Sequence, residues 1–464
     1  MLQVIKYLEK KEIFISIIIL SISILFWDIK IQNLFQSKFL ILLILPYFII
    51  DTLKNNLNIK IIIGNLLMVI VIYIHLILNL ITEISNYAIF SLIFLFLLSL
   101  ISLRVTTNFE KILFESCKIF ILIINFLILI DLFLSEYFLY DHIELKNGLC
   151  AIFTSENRII IGPIFSESSH FGMTAVGVTL YLLLSFKNLN NFYKLNFVTF
   201  VLLTFIFFGS LTLYFGLIVT SLFILTLRLS KKYILLLSVI FLNTLIILNF
   251  DNCYLRISQI KDMKNVYSLK KFNKFDYVFE FFEKNFFNKI EKVLSFDESK
   301  ITNKDVNTIL GNTDDKNDNE KNKFINITTI IHINHFNFAA ETLQKKPLGV
   351  GFQNYMNYAI EYAMEEKFIL TYSNQKFMNI NDGASNLNKL VTEFGYLNIL
   401  FGILFIIILF KSKFSNQTKC FILGIVLTQL IRGAGYFNGG FLFVILILFY
   451  SNVTKINNYD HSKI

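Results

Sequence analysis

Apolar runs about as long as a bilayer's hydrocarbon core is thick recur along most of this chain, and few folds accommodate them. They lie near residues 13–27, 38–53, 60–81, 87–103, 112–134, 170–186, 195–208, 211–227, 233–249, 390–410, 420–432 and 440–450. The expected fold is all-α: a polytopic bundle of about twelve transmembrane helices, with one large external loop domain between the ninth and the tenth. Composition agrees. Of 464 residues, 55% are hydrophobic and 16% charged, and mean hydropathy is +0.63; soluble domains carry about a quarter charged. These values exclude a secreted disulfide scaffold, a nucleic-acid-binding domain and a disordered chain. The excess of 42 Lys+Arg over 33 Asp+Glu, net +9, reads as orientation in a membrane rather than as affinity for nucleic acid.

Placing Lys6, Lys10 and Lys11 in the cytoplasm puts most of the other basic residues near helix ends on the same side, among them Lys54, Arg104, Lys111, Lys187, Lys194, Arg228, Lys231, Lys232, Lys411, Lys413, Lys419 and Lys455. This asymmetry requires the stretch from Leu195 to Leu227 to be two helices meeting at Gly209 and Ser210. Phe14 to Trp27 has no small-residue cleavage site and reads as a first transmembrane helix. Three regions follow: helices one to nine over 1–249 with an outer loop at 135–169, a large outer loop over 250–388, and the last three helices with a cytoplasmic tail over 389–464.

Within the large loop, Lys264 to Phe296 reads as amphipathic helix at the bilayer surface, and Asp297 to Lys323 as a polar insert. Ile325 to Lys346 is again helical in pattern, before a Pro347-Leu-Gly-Val-Gly351 turn. Cys117, Cys150, Cys253 and Cys420 have no CxxC spacing; Cys150 and Cys253 both fall outside, as a possible disulfide pair or as lone thiols. HExxH, nucleophile-elbow and Walker A patterns are missing, and Gly349-Val-Gly351 lacks a third glycine and a preceding strand. His332 and His335, three apart, share one helical face but have no further metal ligand at suitable spacing. Within the apolar runs, Asn125 and Asp131 suit interhelical hydrogen bonds, as polar interruptions alongside His75 and Asn79.

Polar residues of interest gather on the outer side. Ser166 and Ser168 suit helix capping, whereas Glu167 and His170, an ionisable pair at the mouth of a membrane helix, need partners or water. Arg158, Arg256 and Arg432 are the three outward arginines in a chain that otherwise favours lysine; each can snorkel, yet arginine is what bidentate binding of a diphosphate demands. Lys345 and Lys346 flank the turn as solvated charges or as longer-range attraction for an anion.

Four segments, in order, resemble elements of the Wzy-type O-antigen polymerases and the related O-antigen ligases. Arg158, Gly162-Pro163 and Ser166-Glu167-Ser168-Ser169-His170-Phe171 are similar to an R-x-x-G-x-F-x-E-P-S-H-F element. Pro347-Leu-Gly349-Val-Gly351-Phe-Gln-Asn354 resembles a P-x-x-G-v-G turn, and Leu390-Val-Thr-Glu393-Phe-Gly395 a helix-opening element. Leu430-Ile-Arg432-Gly-Ala-Gly-Tyr436 resembles the polymerases' penultimate turn. Ser168 stands where proline is usual and His335 where arginine is frequent, and the helix-opening histidine is absent at Ala384 to Asn386.

The resemblance implies a metal-independent, cofactor-free glycosyltransferase of the bacterial inner membrane, with both termini cytoplasmic. It would polymerise undecaprenyl-diphosphate-linked repeat units, as donor and acceptor, into an O-antigen or capsule-type polysaccharide; membrane lipid and a chain-length regulator are the further expected partners, and nucleic acid is not. Arg158, Arg256 and Arg432 would clamp diphosphate and glycan, with Gly349, Gly351 and Tyr436 as further substrate-binding positions. The general base is sought among His335, ranked first, His332, Glu167 and His170. A ligase would share donor and architecture but use a lipid A core acceptor; a flippase or transporter would explain the spans but not the outer loop or the outward arginines.

Overall fold

The computed structural model describes residues 13–28, 30–31, 35–36, 59–79, 86–137, 165, 168–207, 210–246, 327–364 and 379–453. The fold over these residues is helical, apart from a two-residue antiparallel pair, Lys30–Ile31 with Phe35–Gln36. In chain order the helices are α1 (Ile13–Leu25, its last turn in π form), α2 (Ile59–Leu78), α3 (Asn86–Thr106), α4 (Phe109–Tyr137), α5 (Ser168–Leu184), α6 (Asn191–Phe207) and α7 (Leu211–Thr226). Then follow α8 (Tyr233–Ile246), α9 (Ile327–Lys345), α10 (Tyr355–Met364), α11 (Asn386–Phe394), α12 (Leu397–Lys411), α13 (Asn416–Ile431) and α14 (Phe441–Tyr450).

Eleven of the twelve apolar blocks coincide with helices, and the block at 38–53 lies outside the described residues. Among the described residues, two helices are long and apolar enough to cross a membrane by length and composition, Ala88–Thr106 and Phe109–Leu129. Of the other apolar helices, α2 has 20 residues and the rest have 10–17, which at about 1.5 Å per residue is roughly 15–25 Å for the latter against about 30 Å of hydrocarbon. The expected break near Gly209 and Ser210 is present: α6 ends at Phe207, and Ser210 is extended (φ −94°, ψ 114°) ahead of α7.

The block at 390–410 is two helices, not the single span expected from it. Gly395, at φ +54°, ends α11, and α12 starts at Leu397. The break follows from backbone packing: a Cβ on Gly395 would collide with the carbonyl of Pro347, and Tyr396 N–H donates to that carbonyl at 2.8 Å. The boundary expected at 388/389 therefore falls inside α11.

α5, α7 and α13 form the centre of the bundle. Small residues let their backbones meet closely. A Cβ on Gly424 of α13 would stand 2.7 Å from the Gly177 Cα of α5, one on Gly216 of α7 would stand 2.6 Å from Thr428 Oγ1, and one on Gly172 would stand 2.9 Å from Leu213 N. Around this centre α14 packs on α3, α2 on α3, and α4 on α6. The expected interhelical role of Asn125 is observed, its Nδ2 donating to Asn196 O at 2.8 Å. Outward faces are apolar: Leu66, Leu67, Val71 and Ile74 on α2 and Ile399, Leu400, Ile403 and Leu404 on α12 are exposed. Separately from the bundle, Phe338, Tyr355, Ala359, Ala363 and Ile380 build a second, small core between α9, α10 and the 379–385 loop.

Candidate functional site

The crossing of α5 and α13 sets where two candidate residues stand. His170 precedes Gly177 by seven residues and Arg432 follows Gly424 by eight, so in antiparallel helices each lies about 11–12 Å along the axis from the contact, at the same end. Asp382, in the loop before α11, feels the charges of both Arg432 and His170. Arg432 is buried at the C-cap of α13, and its Nη1 donates to Ala384 O at 3.2 Å. Asp382 Oδ1 in turn accepts from Ala384 N at 3.0 Å. Burial raises the Asp382 carboxyl, against the lowering effects of the Ala384 N–H, Arg432, Lys389 and His170.

Behind this loop lies a buried ion pair. Ser385 caps α11 by accepting from Asn388 N at 3.1 Å, and the helix turns Lys389 and Glu393 inward together. Lys389 Nζ donates to Gln353 Oε1 at 3.0 Å and to Asn381 O at 3.2 Å, stands 3.9 Å from Glu393 Oε1, and lies 5.0 Å above the Tyr436 ring. Glu393 accepts from Tyr355 N at 3.3 Å. Two buried charges persist together when such bonds replace water. Strain marks the same place: of four non-glycine residues with positive φ among those described, Gln353, Asn379 and Ala384 flank the network.

α9 carries the two histidines. His335 is buried, with Nδ1 2.7 Å from the Tyr355 hydroxyl. Tyr355 has no exposed surface, and burial, then the negative Asp382 and Glu393, push its phenol well above the usual range. His332 is half-buried; burial first, then the positive Arg432 and the nearby His335, bring its pKa down to about 3, so the ring is neutral in ordinary buffers. His170, at the mouth of α5, stands with Nδ1 2.8 Å from Asp28 Oδ2 and its ring 4.9 Å from that of Trp27.

His170, His332, His335 and Arg432, all singled out by sequence, thus converge, while Arg158, Glu167, Arg256, Asp131, Cys150 and Cys253 lie outside the residues described in full. Gly349 and Gly351 serve packing. Their N–H groups donate to Lys346 O at 2.8 Å and Glu393 O at 3.0 Å, and Val350 N–H donates to Thr392 O at 2.9 Å, which holds the turn on α11. Tyr436 is buried, stacked on Phe352 at 5.8 Å, as a wall for Lys389. Lys345 pairs with Glu341 at 2.9 Å, and Lys346 donates to the Tyr358 hydroxyl at 2.6 Å. Asp28, Asp382, Lys389 and Tyr355 were not anticipated. The signals were a lone acid ending an apolar run beside Trp27, and an Asp-Gly turn before a helix whose apolar face carries Lys389 and Glu393 four apart.

Among the described residues, no three His, Cys, Asp or Glu side chains gather to hold a metal ion. The arrangement offers a guanidinium, imidazoles and carboxylates converging at one end of an apolar bundle, which suits binding an anion and moving a proton. No protein-family model, curated protein or solved structure matches the chain at a significant level.

Proposed function

We propose that this protein is a multi-pass enzyme of the bacterial inner membrane that polymerises undecaprenyl-diphosphate-linked oligosaccharide repeat units at the outer face. The observation that carries the reading is the convergence of Arg432, His332, His335, Asp382 and His170 at one end of a helix bundle whose outward faces are apolar. Glycosyl transfer from a lipid diphosphate needs positive charge where the leaving oxygens develop theirs, and a preorganised guanidinium supplies it. It also needs an acceptor for the hydroxyl proton. The exposed leucines and isoleucines of α2 and α12 suit contact with acyl and isoprenoid chains. In this reading the apolar helices span the bilayer, with α12 alone crossing from the 390–410 block, both termini are cytoplasmic, and Arg158 and Arg256 join Arg432 on the diphosphate.

Purified protein in proteoliposomes, given radiolabelled lipid-linked repeat units, tests it. Products lengthening in repeat-sized steps are expected. One transfer to an added lipid A core would make the protein a ligase, and vesicle uptake without new glycosidic bonds would make it a transporter; either overturns the polymerase reading. Arg432→Lys keeps the charge but loses the planar fork, and should reach the membrane normally while slowing chain growth by about 10-fold or more.

A further inference from the structure

Three buried side chains direct hydrogen bonds at the backbone of one short loop. Lys389 Nζ donates to Asn381 O at 3.2 Å, Asn388 Nδ2 to Gly383 O at 3.0 Å and Arg432 Nη1 to Ala384 O at 3.2 Å. The first two belong to α11 and the third caps α13. Within the loop, the Asp382 and Gly383 N–H groups both donate to Asn379 O, at 3.3 and 2.9 Å. Gly383 and Ala384 stand in succession at positive φ, +70° and +60°, and a Cβ on Gly383 would lie 2.9 Å from Tyr355 Cζ. Backbone of this kind persists where its surroundings over-determine it. A loop so fixed holds its side chains in one place, as catalysis by positioning requires.

What the loop presents is a carboxylate. Asp382 Oδ1 accepts from Ala384 N at 3.0 Å, and Oδ2 has no hydrogen-bond partner among the described residues. Asp382 is half-buried, whereas Glu393, Tyr355 and His335 are 0%, 0% and 1% exposed and so closed to a sugar. Arg432 meets the same Ala384 from its carbonyl side, so its Nη1 lies at most about 10 Å from Asp382 Oδ1, the two bonds plus one residue's N-to-O span. That bound admits the roughly 6.5–9.5 Å left between two groups flanking a sugar in inverting transfer. Burial outweighs the lowering by the Ala384 N–H, Arg432, Lys389 and His170 and holds the carboxyl above its ordinary value; a raised carboxyl is the stronger proton acceptor.

We infer that Asp382 is the proton acceptor of the glycosyl transfer, taking the acceptor hydroxyl's proton on Oδ2 while Arg432 faces the departing diphosphate. The inference rests on the lipid-linked transfer proposed above. The O–H bond of the acceptor breaks and its proton passes to the carboxylate; the oxygen forms its bond to the anomeric carbon; the bond from that carbon to the diphosphate oxygen breaks, and its electron pair leaves with the diphosphate. Asp382 ends the step as a neutral acid, and the nearby positive charges of Arg432 and Lys389 favour its ionisation before the next.

In proteoliposomes supplied with radiolabelled lipid-linked repeat units, Asp382→Asn separates charge from scaffold. The amide oxygen still accepts the Ala384 N–H, so the turn is kept and the proton-accepting carboxylate is lost. This variant should lower kcat by about 100-fold or more with KM within about twofold of the wild type. Asp382→Ala should be slow as well and should recover part of its kcat with added formate, which returns a carboxylate to the vacated space. Chain growth by Asp382→Asn within about threefold of the wild-type rate overturns the inference and leaves the polymerase reading standing. So does an Asp382→Ala variant that formate does not accelerate, because the carboxylate then serves structure alone. A wild type that extends no lipid-linked glycan removes the polymerase reading, and the inference with it.

Discussion

At Gly349 a single methyl group is too much. The residue is held at φ +83°, and a Cβ there would overlap the Glu393 backbone, so Gly349→Ala meets both a conformational penalty and a clash with main chain. A loss of about 2 kcal/mol or more is expected, measurable by denaturant unfolding in detergent, with activity falling because the turn no longer holds Glu393 under Tyr355. His332 gives a pH signature. Its pKa is lowered from 6.5 to about 3 in the folded protein, so the unfolded chain takes up the proton first. The stability it contributes is present above 6.5 and drains away as pH falls toward 3. Thermal unfolding should therefore show His332→Gln gaining on the wild type between pH 7 and pH 4, and a constant difference across that range would remove the assignment. The histidines and Arg432 could be picked out from sequence because ionisable groups are rare beside apolar runs. Asp28, Asp382 and Lys389 could not, since their meaning comes from partners far away in the chain: His170 for Asp28, Arg432 for Asp382, Gln353 for Lys389.

Elements in this protein are fixed by where backbones touch. Gly177 and Gly424 leave no room for a side chain between α5 and α13, and Gly424→Ala should push the helices apart at a cost of roughly 1–3 kcal/mol. Gly177→Ala should do the same, and the double variant should fall short of the sum because both relieve one contact; additive losses in Tm would mean that the helices do not meet there. Helix positions were legible as apolar blocks, and the break at Ser210 through charge alone. The break at Gly395 was not: the run from Leu390 to Phe410 is interrupted only by scattered single polar residues and glycines, Thr392, Glu393, Gly395, Asn398 and Gly402 among them, and what divides it is a carbonyl from Pro347, some fifty residues earlier in the chain.

For the whole molecule, two scales of packing coexist. The bundle is one continuous apolar core, and the α9–α10 segment has its own, so that segment can hold His335 and Tyr355 in register while resting on the bundle through α11. In the topology proposed above, single cysteines at the exposed Leu348, beside the Gly349 turn, and Ile431, beside Arg432, should both react with an impermeant maleimide from the outer face of intact cells or spheroplasts; labelling of one from the opposite face would split the site across the bilayer.

The glycine crossing behaves as a pivot. His170 and Arg432 are the tips of two arms of nearly equal length hinged at Gly177 and Gly424, so a change of about 10° in the angle between the arms moves one tip by about 2 Å relative to the other. Helices answer a thicker or thinner bilayer by tilting. On the membrane-enzyme reading proposed above, the gap between His170 and Arg432 is therefore coupled to acyl-chain length, and the surrounding lipid would act as a vernier on the site, with the rate of the proposed transfer passing through a maximum as vesicles of increasing chain length are compared.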